Sequence, residues 1–291
     1  MTTALNLTTD PDNDLARSRL RAGDVHGALD ALRERLRREP TATALRIFYF
    51  QLLVVTGDWD RAEQQLDTLK SFSTEHLPFV SVYRDALKAE RERLSVLATG
   101  GIPHLLGEPL PWMAPLIEAA RQLAQGNFAA AAALRDEAFE QAPALAGHVQ
   151  TDAGKTAFDW IADADTRFGP VLEVIHRDRY AWLPWQHVRR IDIPKPSDLR
   201  DFVWTPVELN LANGTALPTL IPARYVGSES AIAALQLGRQ TEWQELPEGH
   251  WIGLGQKEFA TDIDQYPVLS LRSLVFTQPA PGDAPGNAAE A

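Results

Sequence analysis

The residues best suited to chemistry in this sequence are three aspartates in the stretch FDWIADADTRFGP. Asp159, Asp163 and Asp165 are closely spaced, and alternating carboxylates are ligands for hard cations. One hypothesis is therefore a metal-assisted hydrolase that uses the Asp163 and Asp165 region. A calcium loop of the EF-hand type, however, continues with a third acidic or amide ligand, a glycine and a distal glutamate, whereas Arg167 follows here. Arg167 favours the alternative, a structural salt bridge with Asp163 or Asp165.

The other residue types that could carry chemistry lack the required spacing. The seven histidines form no HxxxH or HxxH pair, and the chain contains no cysteine, so the common helical and thiolate zinc sites are missing. Ser228 and Ser230 are not part of a GxSxG elbow, and the glycines of GLGQK match no phosphate-binding loop. We therefore expect no catalytic residue, no metal site and no cofactor.

Two groups of residues in the second half are weaker candidates for binding a partner protein. Arg224, Tyr225 and Glu229 form a compact polar set, which either faces a partner or caps a turn before a helix. Trp182 and Trp185 flank a proline and are either core residues or an exposed hot spot.

A short repeated phrase organises the first half of the chain. It reads GDVHGA from Gly23, GDWDRA from Gly57 and GNFAAA from Gly126, and the first two glycines are 34 residues apart. A period of 34 residues is that of the tetratricopeptide repeat, a pair of antiparallel helices. The glycine supplies the left-handed turn that ends one helix, and the Asp or Asn caps the next. The helix predicted over Phe79–Ala98 lacks the phrase, and we interpret it as a degenerate repeat.

These patterns predict an α+β protein. TPR-like α-helical hairpin repeats are expected in an N-terminal domain, followed by a smaller mixed domain with a mainly antiparallel β-sheet. Hairpins are predicted around Asp178 and around Asn213-Gly214, and a helix near Ser230–Leu237. The predicted boundaries are a flexible N-terminus at 1–13, the helical domain at 14–150, the α+β domain at 151–277 and a disordered tail at 278–291.

Charge and hydropathy exclude several classes of function. The net charge of −11 repels phosphate backbones and anionic lipids, so we expect no nucleic-acid partner. No basic stretch followed by an apolar core begins the chain, and no uncharged apolar run approaches the length of a membrane span. The sequence therefore predicts no membrane insertion and a cytoplasmic location.

Several separated motifs resemble the ImpE family, whose members are also called SciE-type or TagJ proteins. The motifs are FDWIADADTRFGPVLEVI, YAWLPWQHVRRI, DLRDFVWTPVELNLANG, IPARYVGSE and the ATD of FATDIDQYPVLSLRSL. The resemblance extends from about Leu15 to Phe276. It implies a cytoplasmic, non-catalytic accessory protein of bacterial type VI secretion, which binds the small, TssB-like subunit of the contractile sheath. It also implies an indirect link to the ClpV-type AAA+ ATPase that recycles contracted sheath.

The repeats offer a place for such a partner, because the first helix of each tetratricopeptide hairpin lines a concave groove. Transferring that template gives a candidate groove with an apolar middle and two arginines at one end, suited to an amphipathic segment with an acidic end. The candidate groove residues are Arg17, Arg21, Ile47, Gln51, Val54, Leu116 and Leu123. The alternative is that the apolar members are core residues between stacked helices. A third hypothesis is a TPR adaptor of another assembly, with the ImpE likeness confined to the second domain.

Overall fold

The computed structural model describes residues 11–277. The expected tail, 278–291, and residues 1–10 of the expected flexible N-terminus lie outside the described residues. The first helix begins at Pro11, three residues before the expected boundary at 14.

In the described part of the first half, seven α-helices lie mostly as antiparallel pairs. They are α1 (Pro11–Arg21), α2 (Val25–Arg38), α3 (Thr43–Val55), α4 (Trp59–Phe72), α5 (Leu77–Thr99), α6 (Met113–Ala124) and α7 (Phe128–Gln141). Helices α1 and α2, α3 and α4, and α6 and α7 pack as the three hairpins that the repeated phrase predicts. The TPR-like prediction is therefore confirmed.

The repeated phrase acts differently in its third copy. All three glycines have a positive φ, 81° at Gly23, 71° at Gly57 and 77° at Gly126, as the left-handed turn requires. The Asp24 and Asp58 side chains accept backbone N–H bonds and cap α2 and α4. Asn127 makes no such cap, because its amide donates to Gln122 instead. The expected cap is wrong at this position.

Helix α5 joins the repeats to the second half. It packs against α4, α6 and two strands of the large sheet, β5 (Val171–His176) and β6 (Arg179–Pro184). The segment after it adds a two-residue strand, β1 (His104–Leu105), beside β6. Whether α5 is a degenerate repeat stays a prediction.

The second half is built from three sheets within the described residues. The remaining strands are β2 (Gly147–Thr151), β3 (Gly154–Phe158), β4 (Ile161–Asp163), β7 (Val188–Asp192), β8 (Trp204–Leu211), β9 (Ala216–Pro222), β10 (Thr241–Leu246), β11 (His250–Gly255), β12 (Glu258–Thr261), β13 (Gln265–Pro267) and β14 (Leu271–Phe276). The nine-stranded sheet has the order β1-β6-β5-β9-β8-β7-β14-β2-β3, and β10-β11 and β13-β12-β4 form two smaller sheets. Every pairing except β1 with β6 is antiparallel, which confirms the predicted sheet.

The two predicted hairpins are present as β5–β6 and β8–β9. The helix expected near Ser230–Leu237 is shorter, since only α8 (Ala233–Gln236) is α-helical and Ser228–Ser230 forms a 3-10 turn. The strands of the second half begin with β2 at Gly147, just before the expected boundary at 150.

One apolar cluster spans both halves of the chain. Trp182, Trp204 and Tyr225 of the second half belong to the same buried cluster as the apolar faces of α2, α3 and α5. A second cluster, which includes Trp185 and Phe259, is formed by residues of the second half. The helices therefore pack against the second half, and this packing decides which part of the concave face remains accessible.

Candidate partner-binding cleft

Most of the helix surface expected to line a groove is covered by the second half. Arg224 is 3% exposed and donates to the carbonyls of Val54, Val55 and Gln236 at 2.9, 2.6 and 2.7 Å. The last carbonyls of a helix have no partner within the helix, so Arg224 satisfies the C-terminal end of α3. Burial lowers the pKa of Arg224 to about 10, which leaves it charged at neutral pH.

A tryptophan of the second half packs on the same surface. Trp204 lies 5.9 Å from the ring of Trp59 and 6.4 Å from that of Tyr83, between centroids. Its indole N–H donates to Glu90 on α5 at 2.9 Å. Aromatic and polar contacts together therefore seal this stretch of the repeats.

A buried ionic network joins α5 to the sheets beneath it. Arg93 donates to both carboxylate oxygens of Glu173 at 2.8 and 3.0 Å, and to Glu90 at 3.1 Å. Lys257 reaches Glu173 at 2.7 Å and Asp163 at 2.5 Å. Burial alone would raise the pKa of Glu173, but the charges of Arg93 and Lys257 hold it well below its usual range. Burial raises the pKa of Asp163 to about 6, against the opposing effect of Lys257.

The candidate acids Asp163 and Asp165 already accept hydrogen bonds within the buried part of the second half. Tyr225 donates to Asp163 at 3.1 Å, and Arg167 donates to both oxygens of Asp165 at 2.9 and 2.6 Å. The predicted salt bridge of Arg167 is therefore confirmed. Asp165 also accepts the N–H of Gly253 at 3.0 Å. Among residues 11–277, no group of three or more His, Cys, Asp or Glu side chains is placed to hold a metal ion.

Several residues expected to face a partner lie inside the protein. For these residues the core alternative holds: the apolar and aromatic side chains belong to the two buried clusters, and the polar ones are held by buried hydrogen bonds. The buried members are Ile47, Val54, Leu116, Trp182, Trp185, Arg224 and Tyr225. Trp182 donates its indole N–H to Tyr180, and Trp185 donates to the carbonyl of Gly169. Glu229 is partly buried and accepts the N–H of Gly227, which matches a capped turn.

The concave face is open at its N-terminal end, where a cleft of about 440 Å³ separates α1 and α3 from a loop of the second half. We call it the arginine cleft. Its lining residues are Arg17, Leu20, Arg21, Phe48, Gln51, Pro196, Ser197, Asp198, Leu199, Phe202 and Arg239. Three of the expected groove residues, Arg17, Arg21 and Gln51, thus come together, whereas Leu123 lies on α6 away from the cleft.

Gln51 fixes the wall of the arginine cleft. Its amide nitrogen donates to Asp198 at 3.3 Å, and its amide oxygen accepts the N–H of Leu199 at 3.1 Å. The loop from the second half is therefore anchored on α3 by a side chain that is itself 5% exposed. Gln51 supports the cleft more than it offers a free amide to a partner.

The arginine cleft combines positive charge with an apolar floor. The guanidinium of Arg17 lies 5.8 Å from the ring centroid of Phe48, and Arg239 donates to the carbonyl of Leu20 at 2.9 Å. Neither Arg17 nor Arg21 forms an ion pair with any residue that the structure describes. The single carboxylate in the lining, Asp198, is paired with Arg200 at 2.5 Å. The cleft is therefore suited to an anionic segment with apolar side chains.

The sequence template missed half of this cleft. Phe48 is only one position from the expected Ile47, but Leu199, Phe202 and Arg239 lie about 150 to 190 residues farther along the chain than Phe48. The motif DLRDF is visible in the sequence, yet no local pattern indicates that it packs against α3.

Within residues 11–277 no helix has the length and apolar character needed to cross a membrane.

Comparisons with known proteins match both halves of the chain. The model of the ImpE protein family matches residues 155–275, and a tetratricopeptide-repeat model matches residues 19–73. The type VI secretion system accessory component TagJ of Pseudomonas aeruginosa is 46% identical over 263 residues, which covers 90% of this chain and 91% of that protein. The crystal structure of protein VPA1032 from Vibrio parahaemolyticus superposes with a TM-score of 0.81 at 25% identity, covering 91% of this chain and 98% of that one. The likeness is therefore not confined to the second half.

Proposed function

This chain belongs to the ImpE family, and we propose that it is a non-enzymatic accessory protein of type VI secretion that binds a segment of the small contractile-sheath subunit. The segment lies in the arginine cleft. Through the sheath subunit the protein acts indirectly on sheath recycling by a ClpV-type ATPase, in the cytoplasm. The observation that carries this proposal is the cleft itself, because it keeps Arg17 and Arg21 accessible above an apolar floor, whereas Ile47, Val54 and Leu116 of the expected groove are buried.

The chemistry of the cleft supports a segment with carboxylates beside an apolar face. Arg17, Arg21 and Arg239 offer three cations, and Phe48 and Leu199 offer apolar surface. Burying three or four apolar side chains contributes roughly 1.5–3 kcal/mol each. Association costs on the order of 4–15 kcal/mol in lost freedom. These apolar contacts therefore roughly offset the cost of association, so the ionic contacts with Arg17, Arg21 and Arg239 decide the affinity.

A calorimetric titration of the whole protein with the purified small sheath subunit tests this function. We expect binding by the natural sequence and a loss of at least about tenfold in affinity when Arg17→Glu and Arg21→Glu are combined, since both cations become repulsive. The matched control is Arg33→Glu with Arg37→Glu, which changes the net charge equally on the exposed face of α2. Absence of binding to any sheath component at tens of micromolar, or equal loss in both double variants, would contradict the proposal.

The hydrolase hypothesis is less well supported by the geometry. Asp163 and Asp165 already accept hydrogen bonds from Lys257, Tyr225 and Arg167, so a cation would have to displace these donors. Thermal melts with and without Mg²⁺, Ca²⁺ and Mn²⁺ separate the two functions. We expect no change in melting temperature, whereas a rise of several degrees that Asp163→Asn abolishes would favour metal chemistry.

A further inference from the structure

A second surface with the opposite charge lies in the small sheet β13-β12-β4, away from the arginine cleft. Two large apolar side chains are exposed there, Trp160 before β4 and Ile263 in the turn between β12 and β13. Trp160 is 40% exposed although Ile161 beside it and Phe158 two residues before it are buried, and Ile263 is 60% exposed. We call the region of residues 159–160 and 261–265 the acidic corner.

Backbone pairing brings the two parts of the acidic corner together. Ile161 of β4 pairs with Thr261 of β12 in an antiparallel register, so Trp160, one residue before Ile161, and Ile263, two residues after Thr261, lie beyond the same end of this pairing. The carboxylate of Asp262 accepts the backbone N–H of Asp159 at 2.7 Å and that of Trp160 at 3.5 Å. The loop that carries Trp160 is therefore tied to the turn that carries Ile263.

The turn itself is fixed by Thr261. Its hydroxyl accepts the N–H groups of Ile263 and Asp264 at 3.1 and 3.0 Å, and its backbone N–H donates to the carbonyl of Asp264 at 3.0 Å. An exposed apolar residue held in one conformation loses less freedom on binding than one in a mobile loop. The acidic corner is thus preorganised for contact.

Three aspartates are the chain neighbours of the two apolar residues: Asp159 precedes Trp160, and Asp262 and Asp264 flank Ile263. Asp159, Asp262 and Asp264 are all exposed, and none of them forms an ion pair with a residue in the described part of the chain. Single exposed apolar residues are common on protein surfaces, but an exposed Trp and an exposed Ile flanked by aspartates without ion pairs are not explained by packing. The negative charge disfavours nucleic acid and anionic lipid and favours a cationic surface.

We propose that the acidic corner is a docking surface for a protein segment that carries Lys or Arg side chains on either side of an apolar residue. Trp160 and Ile263 supply the apolar contact, since tryptophan is enriched among residues that dominate binding energy. The carboxylates of Asp159, Asp262 and Asp264 supply charge complementarity and select the partner by sign. This partner differs from the occupant of the arginine cleft, whose lining requires the opposite charge, and the inference does not depend on the function proposed for that cleft.

A random 12-residue peptide display library, selected on the full chain, tests the proposal. Peptides retained by the natural sequence are counter-selected on the variant Trp160→Ser with Ile263→Ser. We expect the peptides that discriminate between the two to be rich in Lys and Arg next to an aromatic or aliphatic residue. A library without discriminating peptides, or a discriminating set without excess positive charge, would overturn the proposal.

The affinity of one selected peptide for the natural sequence and for its variants then measures how much the apolar side chains and the carboxylates each contribute to binding. We expect Trp160→Ser with Ile263→Ser to weaken binding by about tenfold or more. Asp159→Asn should weaken it less and reduce its salt dependence, and the Asp159 carboxylate holds no hydrogen bond among the described residues. The matched control is Trp251→Ser, because Trp251 is also 40% exposed but lies on β11. Equal loss of binding in the control would reveal a non-specific apolar contact and overturn the proposal.

Discussion

The two ends of the concave face of the repeats differ in whether the second half of the chain covers them. Along α3 and α5 the second half closes the surface with Arg224, Trp204 and the network around Arg93. At α1 the surface stays open, and Arg17 and Arg21 line a cleft of about 440 Å³. The same helical scaffold therefore provides a structural interface at one end and a binding surface at the other.

The difference shows what a repeat pattern does and does not encode. The pattern fixes which helix faces inward, but the second half decides which inward face reaches solvent. The charges differ between the two ends. Buried cations of the covered end are neutralised by Glu173 or donate to backbone carbonyls, whereas Arg17 and Arg21 form no ion pair with the side chains described in residues 15–277. Mutations in the covered end should therefore change stability, and mutations in the cleft should change binding.

The largest effect is expected when the buried network loses one member. Arg93→Leu leaves Glu90 without its cation and Glu173 with only Lys257, and breaking a buried pair in this way costs about 3–5 kcal/mol. Urea denaturation measures the loss in the free energy of unfolding. The control is Arg91→Leu, whose exposed pairs with Asp60 and Glu63 should contribute less than about 1 kcal/mol each. Similar losses in both variants would remove the distinction between a sealed and an open region.

The second effect is a pH dependence of stability that comes from Asp163, in the buried ionic network around Arg93. Asp163 has a pKa of about 6 in the folded protein, above its ordinary value of 3.8, so the folded state binds this proton more tightly than the unfolded state. Its contribution to stability is therefore fully present below about pH 4 and is lost as the pH rises through 6, a change of about 3 kcal/mol.

Asp163→Asn removes this titration and leaves Glu173 in place. The free energy of unfolding of the natural sequence relative to the variant should therefore fall by about 3 kcal/mol between pH 4 and pH 7. Urea denaturation of both proteins over this range measures the difference. Parallel pH profiles would contradict the raised pKa, and a cleft variant such as Arg21→Ala should give a profile parallel to that of the natural sequence.

Sequence patterns predicted the scaffold better than the site. The helical hairpins and the β5–β6 and β8–β9 strands follow from local periodicity and turn residues, which act within a few positions. Arg17 and Arg21 were identified by the template, but Arg239 was not, because its contact with Leu20 joins residues 219 positions apart. The burial of Val54 and Trp182 likewise depends on the docking of the two halves, which no local pattern contains.

A smaller effect on binding is expected for Arg239, the cleft residue that the sequence did not predict. Arg239→Glu reverses a charge that lines the cleft but lies on an exposed side chain, so it should weaken binding of the small sheath subunit by about tenfold, or about 1.4 kcal/mol. The free energy of unfolding should change by less than about 1 kcal/mol. Calorimetric titration and urea denaturation give the two quantities. Arg189→Glu, on the exposed face of β7, is the matched control, and equal weakening in both would assign the effect to net charge rather than to the cleft.

The smallest effect tests how the open end is held together. The α1–α2 hairpin makes fewer hydrogen bonds to the second half than α3 does, so helix capping should contribute more to its stability. The Asp24 side chain caps α2 by accepting the N–H of Gly27 at 2.8 Å. Asp24→Ala should lower the free energy of unfolding by about 1 kcal/mol. Asn127→Ala is the natural comparison, because Asn127 occupies the same position in its repeat without capping α7, and its loss should be only a few tenths of that amount. Urea denaturation measures both, and a larger loss for Asn127→Ala would show that the cap geometry does not determine the stability of these hairpins.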